Sequence, residues 1–243
     1  MRHRHRQRGG HHPGPRCGGD GPGRCHERRH HARVGWRVRA AERKSALRQE
    51  VRARRDSMPA DEIEERSTAI VRRVMRLGSY RQARTRLLFA SYESEVRTGA
   101  LMRETLRSGA GLILPRVVGW EEGLALHEVQ DLEAEVAEGR FGLPEPLESC
   151  PERSVYEIDF VLVPGLVFDR QGGRLGYGGG FYDYILNIRG DLVETGAAVA
   201  VAFSTQIVDE VPSEAWDVPV PIIVTEDEVI DVRERGADAD GGR

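Results

Sequence analysis

Lysine is nearly missing from this chain: Lys44 stands alone among 36 basic residues in 243. Cysteine is scarce too, and Cys17, Cys25 and Cys150 are too few and too scattered for a disulfide framework. No run of eighteen apolar residues occurs, which excludes a membrane-spanning helix. No apolar stretch follows the basic start, so a secretory signal is not expected, and the absence of serine before residue 40 fits an organelle transit peptide poorly. Only Trp36 interrupts the basic N-terminal residues with an aromatic ring, too little to stack nucleic-acid bases. What remains is the expectation of a soluble, cytosolic protein.

The net charge of −3 conceals an asymmetry, since residues 1–43 carry +9 and the remaining 200 carry −12. Residues 1–39 are Arg, His, Gly and Pro with almost nothing apolar, and seven of the eight histidines precede residue 32. Such a segment cannot bury enough surface to offset its ordering entropy, so a disordered extension is expected there. Cys17 and Cys25 have no CxxC or His-x3-His framework around them, which argues against a specific metal site. Nonspecific attraction to polyanions is the sharper alternative; the plainest reading is a dispensable extension, such as an upstream start codon would add.

The body reads as alternating helices and strands. Residues 40–58 are helical and charged, with Leu47 and Val51 as apolar contacts; a second helix after Pro59 carries Ile63, Ile70, Val74 and Leu77 at helical spacing. Residues 86–91 and 111–116 read as buried strands, 98–108 as a helix, and 124–129 as an edge or half-exposed strand. The stretch IDFVLVPGLVFD (158–169) is the most hydrophobic and predicts one central strand covered on both faces. Phe181, Ile185 and Ile188 fall at helical spacing, and 197–204 and 221–225 add two strands. This order predicts one α/β domain over 40–232 with a mostly parallel sheet, followed by a disordered tail over 233–243.

Between the predicted central strand and the next helix lies GGRLGYGGGFYD (172–183), with six glycines in twelve positions. Open α/β sheets bind ligands beyond the carboxyl ends of their strands. Glycines there let backbone N–H groups turn toward an anion, and the following helix adds its positive end. The loop is neither G-x-x-x-x-G-K-[ST] nor G-x-G-x-x-G. Arg174 and Asp183 flank the glycines with charges suited to phosphate and to a metal ion. A glycine-rich surface loop with no ligand is the alternative.

Pro164-Gly165, Phe168-Asp169, Arg174-Leu175-Gly176 and Phe181-Tyr182-Asp183 follow, in order and spacing, the signature of the 5-formyltetrahydrofolate cyclo-ligase family, which this chain resembles from about Lys44 to about Glu226. The resemblance implies a single three-layer domain with a Rossmann-like sheet flanked by helices. It implies that Lys44 and Arg48, one helical turn apart, bind ATP phosphates and assist catalysis with Arg174. A lysine in a chain that otherwise uses arginine supports a need for the compact ammonium. The same resemblance assigns Arg174, Leu175, Gly176, Tyr177, Gly178, Gly179, Gly180, Phe181 and Tyr182 to ATP. It assigns Ala90, Glu95, Arg116 and Tyr177 to the folate, places Phe89 beside the pterin, and gives Asp183 to Mg²⁺.

The implied reaction takes ATP and 5-formyltetrahydrofolate to 5,10-methenyltetrahydrofolate, ADP and phosphate. The implied partners are ATP and a reduced folate, with no specific nucleic acid and no membrane, for a monomeric cytoplasmic enzyme. A nucleotide- or folate-binding relative without turnover is the alternative. Two departures stand out: Arg97 replaces an acidic residue in Glu95-Val-Arg-Thr98, and Pro221 stands where some relatives carry a second metal-binding Asp, Asp217 being kept. The second implies a raised Mg²⁺ requirement. His127 and Cys150 are expected to be structural.

Overall fold

The computed structural model describes residues 41–119, 123–139, 142–214 and 216–234. The chain divides into two units, Met1–Ala41 and Glu42–Arg243, and the fold belongs to the second. The expected 1–39 extension lies outside the described residues, as does the expected C-terminal tail beyond Glu234.

Helix α1 covers 41–56. It is followed by α2 (Ala60–Val74), α3 (Gly78–Gln82) and strand β1 (Thr85–Leu87), then α4 (Gly99–Arg107), β2 (Gly111–Gly119) and β3 (Gly123–Val129). A short ribbon pairs β4 (Val136–Glu138) with β5 (Pro144–Pro146). The second half holds β6 (Phe160–Val163), β7 (Val167–Asp169), β8 (Arg174–Leu175), α5 (Phe181–Ile188) and α6 (Gly190–Glu194). It ends with β9 (Ala198–Val201), β10 (Ile207–Val208), β11 (Ile222–Val224) and β12 (Val229–Asp231).

Seven strands form the main sheet in the order β12-β11-β9-β6-β1-β2-β3. The five inner strands are parallel, and the two edges are antiparallel hairpin partners. Side chains alternate across it, as a pleated strand dictates. Phe160, Leu162, Val199, Ile222 and Val224 join Ile63, Ile70 and Val74 of α2 and Leu101 of α4 on one face. Val161, Val163, Ala198, Ala200 and Ile223 join Ile185 and Leu186 of α5 and Leu192 of α6 on the other. The result is the three-layer, mostly parallel α/β architecture read from the sequence.

The single strand expected over 158–169 is in fact two. Only β6 belongs to the main sheet, whereas β7 joins β10 and β8 in a separate three-stranded sheet. The break falls at Pro164-Gly165: proline has no N–H for the ladder. At Gly165 the Phe168 ring approaches so closely that a Cβ would lie 2.3 Å from it. The strand expected over 86–91 is likewise shorter, because Phe89 and Ala90 leave the sheet. Chain order around the sheet reverses at β1, which lies between β6 and β2. Beyond the carboxyl ends of β1 and β6 lies the crevice that this topology reserves for a ligand.

Candidate active site

Helix α1 docks through Val51 and Leu47 on Val167 and Leu175 of the small sheet and on Leu166 and Val211 beside it. That apolar contact lays its basic residues beside the glycine loop. Lys44 Nζ stands 3.0 Å from Glu214 Oε2 and 3.2 Å from Asp217 Oδ2. One turn on, Arg48 Nε donates to Gly176 O at 2.8 Å. Two further turns on, Arg55 is only 2% exposed and donates to Ser94 Oγ at 3.0 Å and Tyr177 OH at 3.1 Å.

The loop is built by a residue outside the cavity lining. Asp169, buried at the end of β7, accepts Gln171 N and Gly173 N on one carboxylate oxygen and Val211 N on the other, at 2.8–2.9 Å. These three bonds fold the chain back into β8 and anchor the segment after β10. Gly178 (φ +109) and Gly180 (φ +67) then take backbone conformations that side chains rarely adopt. Gly180 is the N-cap of α5, and no side chain caps that helix. As a glycine it offers that helix no side-chain oxygen, and the positive end of α5 lies at the loop, a place suited to an anion.

Arg174 carries the strongest signal. Its side chain is 5% exposed, with Nη2 2.8 Å from Asp183 Oδ1. That contact lacks hydrogen-bond alignment, and buried Nε and Nη2 have no hydrogen-bond partner; Nη1 reaches Pro164 O only at 3.4 Å. Nη2 keeps its ion pair with Asp183, but Nε is left as a buried donor without an acceptor, which costs about 1–3 kcal/mol and suits a site that takes up an anion.

Opposite the loop, residues 91–95 leave β1 and turn through Glu93, which has a left-handed φ of 47°. Glu95 accepts Tyr92 N at 3.0 Å and the Tyr177 hydroxyl at 2.7 Å. Burial of that hydroxyl, and then the Glu95 charge, push the Tyr177 pKa up, with Arg55 opposing. Tyr177 thus remains a neutral donor although its ring is half exposed. The buried Tyr182 hydroxyl has no hydrogen-bond partner, and burial followed by the Glu95 charge likewise raises its pKa. Thr98, the last residue of the Glu95-Val-Arg-Thr pattern, donates to Phe89 O at 2.6 Å and accepts Ser91 N, so its role is to close this loop.

These parts enclose a cavity of about 780 Å³, within the usual range of about 300–1,000 Å³ for small-molecule sites. Lys44, Arg48, Ala90, Glu95, Asp183 and all of residues 174–182 line it, as does Phe89. Arg116 does not: its strand neighbours Pro115 and Val117 face the cavity, and it donates instead to Pro146 O at 3.0 Å. Pro221 is buried and also absent from the lining, whereas Asp217 belongs to it. His127 and Cys150 lie elsewhere, joined by a 2.8 Å bond from His127 Nδ1 to Cys150 O. Sequence reasoning missed Arg55, Tyr92, Asn187, Glu214 and Trp216; only the one-face spacing of Arg55 with Lys44 and Arg48 offered a signal. Among the described residues no three His, Cys, Asp or Glu side chains are grouped to hold a metal. Asp183 and Asp217, each beside a cation, are the carboxylates that phosphate oxygens could complete around one.

The model of the 5-formyltetrahydrofolate cyclo-ligase family matches residues 40–226. Similar proteins include the 5-formyltetrahydrofolate cyclo-ligase of Escherichia coli, 29% identical over 74% of this chain and 98% of that one. The enzyme of that name from Mycolicibacterium smegmatis is 33% identical over 58% of this chain and 73% of its own length. Among solved structures, the 5,10-methenyltetrahydrofolate synthetase of Aquifex aeolicus superposes with a TM-score of 0.68 at 33% identity, covering 78% of this chain and 93% of that one. The chain belongs to the 5-formyltetrahydrofolate cyclo-ligase family, and so to a family of ligases.

Proposed function

We propose that this protein converts 5-formyltetrahydrofolate to 5,10-methenyltetrahydrofolate, using ATP and Mg²⁺ and releasing ADP and phosphate. The observation that carries the reading is Arg174: a buried guanidinium whose Nε has no acceptor, set beside a glycine loop and the N-terminus of α5. A γ-phosphate is the acceptor it lacks. The formyl oxygen on N5 attacks that phosphorus, and the bond to ADP breaks. An N5 iminium phosphate results; N10 adds to its carbon, phosphate departs with the C–O electron pair, and the N10 proton is lost.

The chain's part is charge and position. Lys44 and Arg174 are each paired with a carboxylate, Asp217 and Asp183, on the cavity wall. With a triphosphate on both cations, Asp183 and Asp217 would be the carboxylates to hold Mg²⁺. The metal supplies neutralisation of charge on the phosphate oxygens. Arg48 and the 176–182 backbone align the chain of phosphates, and Glu95, held by Tyr177, accepts from the pterin N–H groups. Phe89, Ala90, Pro115, Val117 and Leu124 supply the apolar surface against which a flat ring system packs. No helix among the described residues is long and apolar enough to cross a membrane, and a monomer working in the cytoplasm completes the proposal. Mixing the protein with Mg-ATP and 5-formyltetrahydrofolate is expected to raise the methenyl-folate absorbance in step with ADP release. Binding of both compounds without any such rise would overturn it.

A further inference from the structure

We propose that Tyr184, Asn187 and Trp216 form the subsite for the nucleotide's base and select adenine over guanine. The inference rests on the ATP reading above and deepens it. With the phosphates at the glycine loop and the start of α5, the rest of the nucleotide has to leave that point along one wall of the cavity. The wall opposite is committed to Glu95 and the apolar residues of β2 and β3. The wall along α5 carries Tyr184 and, one turn later, Asn187, with Trp216 beside them; all three line the cavity.

The two rings are left outward although their described neighbours are bonded to the cavity wall. Trp216 is 58% exposed and Tyr184 67%. Yet Trp216 O accepts Asn187 Nδ2 at 3.4 Å, Glu214 N donates to Asp217 Oδ2 at 2.8 Å, and Glu214 and Asp217 both hold Lys44. An exposed indole at the mouth of a charged cavity is a stacking platform for a flat, uncharged ring. Tyr156 is similarly exposed, but it does not line the cavity.

Asn187 adds the means to tell bases apart. Its Nδ2 donates to two carbonyl oxygens, Asp183 O at 2.9 Å and Trp216 O. Both partners being acceptors, the amide orientation is settled by the hydrogen bonds, and Oδ1 is left as the acceptor. The exocyclic amine of adenine satisfies that oxygen, whereas the corresponding carbonyl of guanine sets acceptor against acceptor.

The test uses the full chain carrying Trp36→Phe and Trp120→Phe, so that Trp216 is the only indole. ADP is expected to change its emission, while inorganic tripolyphosphate competes with ADP and leaves the emission unchanged. Trp216→Ala is expected to raise KM for ATP about tenfold, the scale of one lost stacking contact, and to spare KM for the folate. Asn187→Leu is expected to narrow the preference for ATP over GTP. Calorimetric ADP binding with silent Trp216 emission, or a folate KM that rises in Trp216→Ala while that for ATP stays, would overturn the subsite and leave the ATP reading standing. Failure of the wild type to bind ADP at all would remove the ATP reading and the subsite with it.

Discussion

On one side of the cavity Lys44 meets Glu214 and Asp217 and Arg174 meets Asp183, with Arg48 between them on Gly176 O; on the other, Phe89, Pro115, Val117 and Leu124 present carbon. The charged wall comes from segments far apart in sequence, held by α1 on the small sheet and by the Asp169-built loop. The apolar wall comes from the ends of adjacent strands and needs only the sheet. A charged wall made of ion pairs can exchange partners when a polyanion and a cation arrive, whereas the apolar wall can only be filled. The chemistry is thus expected to be sensitive to single changes on the first wall and graded on the second.

The largest effect is expected at Lys44. Lys44→Ala should lower kcat/KM by about 100-fold or more, the scale of losing one preorganised charge contact, with a modest fall in melting temperature because Glu214 and Asp217 lose their shared cation but keep partial access to solvent. Lys44→Arg should also be slow, since a planar fork does not replace a point charge between two carboxylates. Steady-state kinetics on both variants decides it, and wild-type rates in Lys44→Arg would show that the charge alone matters.

Next come the carboxylates. Asp183→Asn is expected to raise the half-saturating Mg²⁺ roughly tenfold or more. A sequence-level comparison suggests that Pro221→Asp would lower it by restoring a missing ligand, but Pro221 is buried away from the cavity. A carboxylate there would be buried without a cation, so the expected result is a lower melting temperature and an unchanged Mg²⁺ titration. A Pro221→Asp protein of normal stability with tighter Mg²⁺ would place this position on the cavity wall after all.

Between the two walls stands Tyr177, which ties the glycine loop to Glu95 and Arg55. Tyr177→Phe removes that tie and frees Glu95 to move, so KM for the folate should rise by several-fold while KM for ATP moves less. The raised pKa of Tyr177 means that its proton stays in place through the ordinary tyrosine range near about 10. The wild-type pH profile should therefore show no alkaline loss of folate affinity absent from Tyr177→Phe; a difference between the two profiles there would mean that the phenol titrates in service.

What could be read from the sequence follows the same division. The glycine loop was legible because a local run of residues with backbone freedom serves one turn. Lys44 and Arg48 were singled out by the family resemblance, their i,i+4 spacing adding only that they share a helix face, and both line the cavity. The alternation of strands and helices was, like the loop, legible from local pattern. The partners of Lys44 were not, being 170 and 173 positions away. Nor was the split of 158–169, because an apolar run looks the same whether its residues enter one sheet or two. Asp169 entered the reading only as part of the family signature, and its scaffold role was not legible, since only the fold shows which backbone N–H groups a carboxylate serves.

Arg116 offers the smallest effect and the sharpest contrast, because strand parity separates it from a neighbour. The family resemblance assigns it to the folate, yet Pro115 and Val117 take the cavity face of β2 and Arg116 the other. There it donates to Pro146 O and lies 3.9 Å from the exposed Glu148. An exposed pair at that separation contributes at most about 1 kcal/mol. Arg116→Ala is therefore expected to change both KM values and kcat by no more than about twofold, with a small fall in stability as the β2–β5 contact loosens. Val117→Asp, one residue on, puts a charge on the apolar wall and should raise KM for the folate by about tenfold or more through the cost of burying it. Measured side by side, a harmless Val117→Asp and a damaging Arg116→Ala would mean that β2 presents its other face to the substrate, and the assignment of the two walls would fall.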